Sequence, residues 1–239
     1  IYFFNYPTAK DVGYKIVPLI NASARMNRTE VAINLFTENN MFTYKIAEDL
    51  IKLNEERKKQ TQIQYSEALK IVNKNQKSSP VLIVYSDKFT SGLIGLIANK
   101  LAEEFNKPTI VMAKEKNIIK GSMRNGGNPI NLLDYINEIK SDIIEGGGHS
   151  DAAGFSVKPS NIVKISKKIK NLKIENDKSK LEEDFEIIID VNEKNLYEIN
   201  KYIYRMEPFG IGNKNPLIKF INIKKVSDAK LTPGGHIYL

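Results

Sequence analysis

Two apolar runs limit what this chain can fold into. VLIVY (Val81–Tyr85) and TIVMA (Thr109–Ala113) are continuous and uncharged, the pattern of strands covered on both faces. Between them, TSGLIGLIANKLAEEF reads as a helix with Thr90 or Ser91 as its N-cap. Strand, helix and strand within about thirty residues make a βαβ unit and a parallel sheet. IIKGSMRN reads as a further strand ending in a polar turn, NLLDYINEIK as a helix, GFSVK as a strand and SNIVKISKKIKNL as a helix. From about Pro80 to Leu172 the chain therefore reads as a complete α/β domain with a mostly parallel sheet.

Upstream, Thr43 to about Asn73 lacks Pro and Gly and is dominated by helix formers, so it reads as one long helix. Ile46, Ala47, Leu50 and Leu53 line one face at its start, as do Ala68, Leu69 and Val72 near its end, while the middle, NEERKKQTQIQ, is polar nearly all round. Such a helix suits a bridge between two domains; a charged surface helix on one domain has the same pattern. About thirty residues would span about 45 Å. The bridge reading expects few tertiary contacts between about Asn54 and Gln64. Before the helix, Ile1 to about Asn40 has little regular period, and GYKIVPLINASARMNR (Gly13–Arg28) reads as a strand or turn running into a polar loop. After Leu172, ENDKSKLEED reads as a charged linker, FEIIIDV as a strand, EKNLYEINKYIYRM as a helix and EPFGIGNKNP as a turn-rich loop. LIKFINIKKVSDAKL and HIYL read as strands of a small, unfinished β domain. The first residue is Ile1, and the chain is expected to be a piece of a longer one.

There is no cysteine, which excludes disulfides, thiolate metal sites and cysteine nucleophiles. No apolar run approaches the length of a membrane span and no signal peptide is visible, so a cytoplasmic protein without a membrane partner is expected. The net charge is +8 and the pI about 9.3. That balance favours a polyanionic partner such as nucleic acid; a lysine-rich solvated surface from a biased genome would look the same.

The segment IIEGGGHSDAAGFSV sets Gly146, Gly147 and Gly148 directly before His149, one of only 2 histidines. Glycines leave backbone N–H groups uncovered, and successive N–H groups make an anion-binding concavity. His149 adds a donor that titrates near neutral pH. A tight turn with one satisfied histidine would also have this sequence. KGSMRN supplies Ser122 and Arg124 at the end of an expected strand, and the planar guanidinium fork matches phosphate. FTSGLIG places Ser91 and Gly92 at an expected helix start, where N–H groups also gather. In an α/β domain such loops converge at one edge of the sheet.

These residues carry a resemblance. KGSMRN, EGGGHSDAAGF and the preceding SGLIGLIANKLAEEFNKPTIVM resemble the DHH-associated domain of the DHH phosphoesterases. VGYKIVPLINASARMNR is similar to the segment that closes the catalytic DHH domain in the RecJ exonucleases of that superfamily. LNEERKKQTQ is similar to their interdomain helix, and MEPFGIGNKNP to the opening of their OB-fold domain. The resemblance implies that residues 1–40 end a catalytic domain, 41–78 form the connecting helix, 79–175 the DHH-associated domain and 176–239 part of an OB-like β domain. It implies a parent acting as a single-strand-specific 5′→3′ exonuclease in DNA repair and recombination. Arg25, Ser122, Arg124 and Gly146–Gly148 would hold the strand, and His149 would act at the phosphate near the scissile bond. Partners would be single-stranded DNA and, for the parent, single-strand-binding protein.

The family's Mn2+ or Mg2+ pair is bound by Asp and His residues of the upstream DHH domain. No DHH triplet occurs here, and His149 and His236 are the only histidines, so no metal site is expected in this stretch and the stretch alone is expected to be inactive. The triple glycine is commoner in the small oligoribonucleases and cyclic-dinucleotide phosphodiesterases of the superfamily, which stand as one alternative. A non-catalytic single-strand-binding relative stands as another. The long stretch after GGGH, with EPFGIGN, argues against the first.

Overall fold

The structure, a computed structural model, describes residues 8–38, 41–75, 79–128, 130–172, 187–190, 196–210, 212–222, 230–231 and 237–238. The chain divides into a larger unit, Gly13–Leu181, and a smaller one, Ile1–Val12 with Glu182–Leu239. The short helix α1 (Ala9–Asp11) belongs to the smaller unit and is closed by a capping box between Thr8 and Asp11.

In the larger unit the chain departs from expectation first at Gly13–Arg28. That segment is helical: a π-helical turn, Val12–Ile16, runs into α2 (Val17–Arg25). Pro18 lies in the first turn of α2, where a missing N–H costs nothing. Ala22 and Ser23 are buried as α2 packs on α4, and the Ser23 hydroxyl donates to Ile20 O at 2.7 Å. Tertiary packing outweighs the strand-like look of IVPLI. Next come α3 (Thr29–Thr37) and the long helix α4 (Thr43–Asn75).

Leu50 and Leu53 are buried at the start of α4, and Tyr65, Ala68 and Val72 towards its end. The middle is not free of tertiary contacts as expected, because Asn54, Thr61 and Gln64 are buried too. Each of these polar groups is satisfied, which removes the penalty for burying it. Asn54 Oδ1 accepts from Arg57, Thr61 Oγ1 donates to Arg57 O at 2.7 Å, and Gln64 exchanges two hydrogen bonds with Thr90, at 2.9 and 3.0 Å.

The sheet of the larger unit has five strands: β1 (Leu82–Ser86), β2 (Thr109–Glu115), β3 (Ile118–Arg124), β4 (Glu145–Gly148) and β5 (Ala152–Val157), in the order β1-β2-β3-β5-β4. The expected βαβ unit is present: β1 and β2 pair in parallel through α5 (Ile94–Phe105). The sheet is nevertheless not mostly parallel, since β2–β3, β3–β5 and β4–β5 are antiparallel. A parallel return needs a long crossover, whereas β2 and β3 are joined only by Lys116 and Asn117, with Lys116 in the left-handed region at φ +54°. The N-cap of α5 also differs from expectation. It is Leu93, without a side-chain cap, because Thr90 bonds Gln64 and Ser91 bonds Glu115.

Helices cover both faces of the sheet. On one side Ile110, Met112, Ile119, Met123 and Phe155 pack with α6 (Leu132–Ile139) and α7 (Ile162–Asn171). On the other, Leu82, Val84, Val111 and Ala113 pack with α5 and the end of α4.

In the smaller unit, β6 (Ile187–Asp190) and β7 (Ile218–Ile221) pair in parallel, with α8 (Leu196–Arg205) between them in sequence. The turn after α8 is closed by Asn213, whose side chain donates to Met206 O and Pro208 O. β8 (Lys230–Leu231) and β9 (Ile237–Tyr238) form a short antiparallel pair. The expected charged linker and His236 lie outside the described residues, as does much of the expected OB-like segment.

Candidate functional site

Strand β3 shows a strict two-residue alternation. Ile119, Gly121 and Met123 are buried, while Lys120, Ser122 and Arg124 face the opposite way and are half-buried. Gly121 is required on the core side, because a Cβ there would lie 2.3 Å from the Phe155 ring. The polar face continues across the sheet in register. Ser122 pairs with Gly154, which pairs with Gly147; Lys120 pairs with Ser156, which pairs with Glu145. With no side chain at 147 or 154, the sheet forms a bare backbone floor.

Over this floor lies a groove of about 670 Å³. One wall is the segment Ser91–Gly95, which leads into the first turn of α5, and another is the end of α2 with Arg25. The walls meet at a close backbone approach: a Cβ on Gly92 would lie 2.1 Å from Arg25 O, and Arg25 Nη1 donates to Gly92 O at 3.2 Å. Arg124 Nη1 donates to Ser122 Oγ at 3.1 Å and to Met123 O at 2.6 Å. Gly95 gives the guanidinium room, since a Cβ there would be 3.1 Å from Arg124 Nη2.

Burial pushes the Arg124 pKa below its ordinary value, and the like charge of Arg25 pushes it the same way. Arginine stays charged regardless. Among the described residues, Arg25 and Arg124 bond only neutral oxygens. Two cations that repel each other and lack a carboxylate make a receptor for an anion. The acidic groups nearby are engaged elsewhere. Glu145 accepts from Ser156 Oγ at 3.0 Å; Glu115 accepts from Ser91 and pairs with Lys120 at 2.8 Å, and these two partners, Lys120 first, hold its carboxyl below the usual range.

The groove brings together Arg25, Ser91, Gly92, Ser122, Arg124, Gly146 and Gly147. Ser91 lines it while its hydroxyl donates a hydrogen bond to Glu115. Gly148 and His149 are not among its lining residues. The triple glycine, expected as a loop, is the edge strand β4, exposed throughout. His149 N–H donates to Ala152 O at 2.9 Å, so alternation along the edge turns the Gly147 amide to β5 and the amides of Gly146 and Gly148 outward. Gly148 has φ +148°, and a Cβ there would lie 2.3 Å from Ala152 O, so this position does require glycine. His149 is exposed at the adjoining turn; its Nδ1 accepts from Asp151 N–H at 3.4 Å, which leaves Nε2 free to face outward. Asn125 and Ser150 anchor this turn through Asp151.

Sequence reasoning missed Gly95 and Lys120, and gave Gly154 only a close-packing role beside Ala152 and Ala153, not a place in the groove floor. The alternation K-x-S-x-R was the available signal for Lys120. Gly95 had none, because its role depends on neighbours distant in sequence.

Residues 78–175 match the DHHA1 domain family. The RecJ single-stranded-DNA-specific exonuclease of Bacillus subtilis is 27% identical over 217 residues, covering 86% of this chain and 27% of the relative. The Salmonella typhimurium RecJ is 30% identical, covering 62% of this chain and 27% of the relative. This chain is RecJ-like. Crystal structures of Thermus thermophilus RecJ with Mg2+ and with Mn2+ share the fold over 90% of this chain, at TM-scores of 0.69 and 0.71 and 19% and 20% identity, and the match spans 34% and 32% of those RecJ chains. The chain thus spans about a quarter to a third of the RecJ proteins it matches.

Among the described residues, no three His, Asp or Glu side chains converge to hold a metal ion. The RecJ metal therefore finds no fitting ligand set in the described part of this RecJ-like chain. No described helix is long and apolar enough to cross a membrane.

Proposed function

We propose that this chain is the strand-holding part of a RecJ-like, single-stranded-DNA-specific 5′→3′ exonuclease that acts in DNA repair and recombination in the cytoplasm. The observation that carries the reading is the pair Arg25 and Arg124, bonded to neutral oxygens beside a floor bare of side chains at Gly147 and Gly154. A polynucleotide backbone is a charged ribbon. A glycine floor lets it approach, arginine forks grip its phosphates, and contacts of this kind position a strand without reading its sequence. His149, exposed at the turn after β4, would meet the phosphate next in line for cleavage. Hydrolysis itself, with the Mn2+ or Mg2+ that RecJ structures carry, is assigned to residues of the parent outside this chain. Single-strand-binding protein is a partner proposed for the parent only.

Fluorescence anisotropy of labelled oligothymidylate at graded salt tests the reading. Wild-type chain should bind with a log–log salt slope of about −0.7 per phosphate contacted. Arg124→Ala should weaken binding about tenfold or more, the loss of a charge-assisted hydrogen bond worth about 2 kcal/mol. Equal binding by Arg124→Ala, or preference for a cyclic dinucleotide over the DNA strand, contradicts the proposal. In the parent enzyme, His149→Ala should lower kcat about a hundredfold if it touches the developing charge. Full kcat with a lowered Tm would make it a turn residue only.

A further inference from the structure

The polar middle of α4 contains one residue that neither the core nor the groove accounts for. Asn54, Arg57, Thr61 and Gln64 fall on one face at helical spacing. Asn54, Thr61 and Gln64 are buried; Arg57 is half-buried and held in place. Asn54 Oδ1 accepts from Arg57 Nε at 3.2 Å and from Nη2 at 2.8 Å. Arg57 has glutamates close by in sequence, yet Glu55 pairs with Lys58 at 2.7 Å, and no carboxylate bonds Arg57 among the described residues. A guanidinium fixed by a neutral amide keeps its remaining donors available for an anion.

Its place on α4 points towards the groove. About 10 Å further along the same face, Gln64 clamps Thr90 at 2.9 and 3.0 Å, and two residues beyond Thr90, Gly92 O accepts from Arg25. α2, which ends in Arg25, packs on α4. Burial first, then the like charge of Arg25, lower the Arg57 pKa, against a weaker pull from Glu55. Arg25 acts on Arg124 in the same sense. Arg25 thus stands electrostatically between two other arginines, and none of the three has a bonded carboxylate among the described residues.

We propose that Arg57 is a further phosphate-binding residue that carries the strand from the groove onto the middle of α4. This rests on the reading that the groove holds a polynucleotide. The ligand is a single strand long enough to bring a second phosphate to α4; a mononucleotide seated at Arg124 would not reach it.

The test compares wild type, Arg57→Met, Arg57→Lys and Arg124→Met in the full chain, with decathymidylate titrated at graded salt and thymidine monophosphate as competitor. Arg57→Met should bind decathymidylate about tenfold more weakly, with the log–log salt slope reduced by about 0.7, one single-strand phosphate. Its competition by thymidine monophosphate should match wild type, its Tm should fall by a few degrees because buried Asn54 loses its partner, and Arg57→Lys should restore the slope. Arg124→Met should lose both ligands. If Arg57→Met keeps the wild-type slope while Arg124→Met does not, the α4 contact is overturned and the groove reading survives. If Arg124→Met also leaves decathymidylate binding unchanged, both are overturned.

Discussion

Two groups of basic side chains in the larger unit differ in what faces them. Lys164 and Lys168 on α7 reach over Asp142, with Lys164 Nζ 2.5 Å from Oδ1 and Lys168 Nζ 2.9 Å from Oδ2. The Asp142 side chain is only 6% exposed, and the two ammonium groups, Lys164 first, hold its carboxyl below the usual range. Oδ2 has no hydrogen bond of good angle, so charge alone secures it. Arg25, Arg57 and Arg124 have no such centre; they bond a backbone carbonyl, an amide oxygen, and a hydroxyl with a carbonyl. The first group is complete within the chain and ties α7 to the end of α6. The second is incomplete, and an incomplete cationic group beside a groove is evidence of a ligand. Net charge alone could not separate the two, because both contribute to the same +8.

The comparison predicts that substitutions in the two regions read out in different assays. The largest effect is expected at Gly92. Alanine there would collide with Arg25 O, and overpacking of this kind costs about 2 kcal/mol. The wall of the groove should open, so Gly92→Ala should lower the denaturant midpoint and abolish strand binding together. Normal stability with normal binding would show that the α2–groove junction is loose.

Asp142→Asn should act in the reverse sense to Arg124→Ala, lowering Tm while leaving strand binding intact. Its effect should depend on pH. The folded carboxyl has a lowered pKa, so its contribution is fully present above the ordinary value of 3.8 and is lost as pH falls through the lower folded value. The Tm gap between wild type and variant should therefore be constant near neutrality and close in acid below that value. A gap that persists unchanged in acid would mean that Asp142 acts through packing and not charge.

Gly147→Ala is the mildest and the sharpest of the set. Nothing lies within 4 Å of its missing Cβ, and its φ is not positive. Stability should move by no more than about 0.5 kcal/mol, yet a methyl on the floor should weaken strand binding several-fold. Gly148→Ala, by contrast, meets Ala152 O at 2.3 Å and should destabilise the turn.

The parts of this fold that were legible in the sequence share a local cause. VLIVY and TIVMA with a helix between them read correctly as a parallel pair because composition and spacing alone determine it. Arg25, Ser122 and Arg124 were found through short motifs and resemblance, and the groove does bring them together. What was illegible depends on distant partners. The β2–β3 hairpin turns through Lys116 at φ +54° without a glycine to announce it. The buried middle of α4 looked solvated because the group that satisfies Gln64 is Thr90, 26 residues away. The helix at Val17–Arg25 looked extended because Ala22 and Ser23 are buried by α4, which no local pattern reveals.

The central claim is that the bare sheet floor and its arginines, and not the lysine-rich α7 face, meet the strand. Amide chemical-shift mapping of the labelled chain on titration with oligothymidylate tests it most directly. The account predicts shifts confined to the segments around Arg25, Arg57, Gly92, Ser122–Arg124 and Gly146–Gly148, with Asp142 and α7 unmoved. Shifts centred on Lys164–Lys170, with the Gly146–Gly148 amides unmoved, would contradict it.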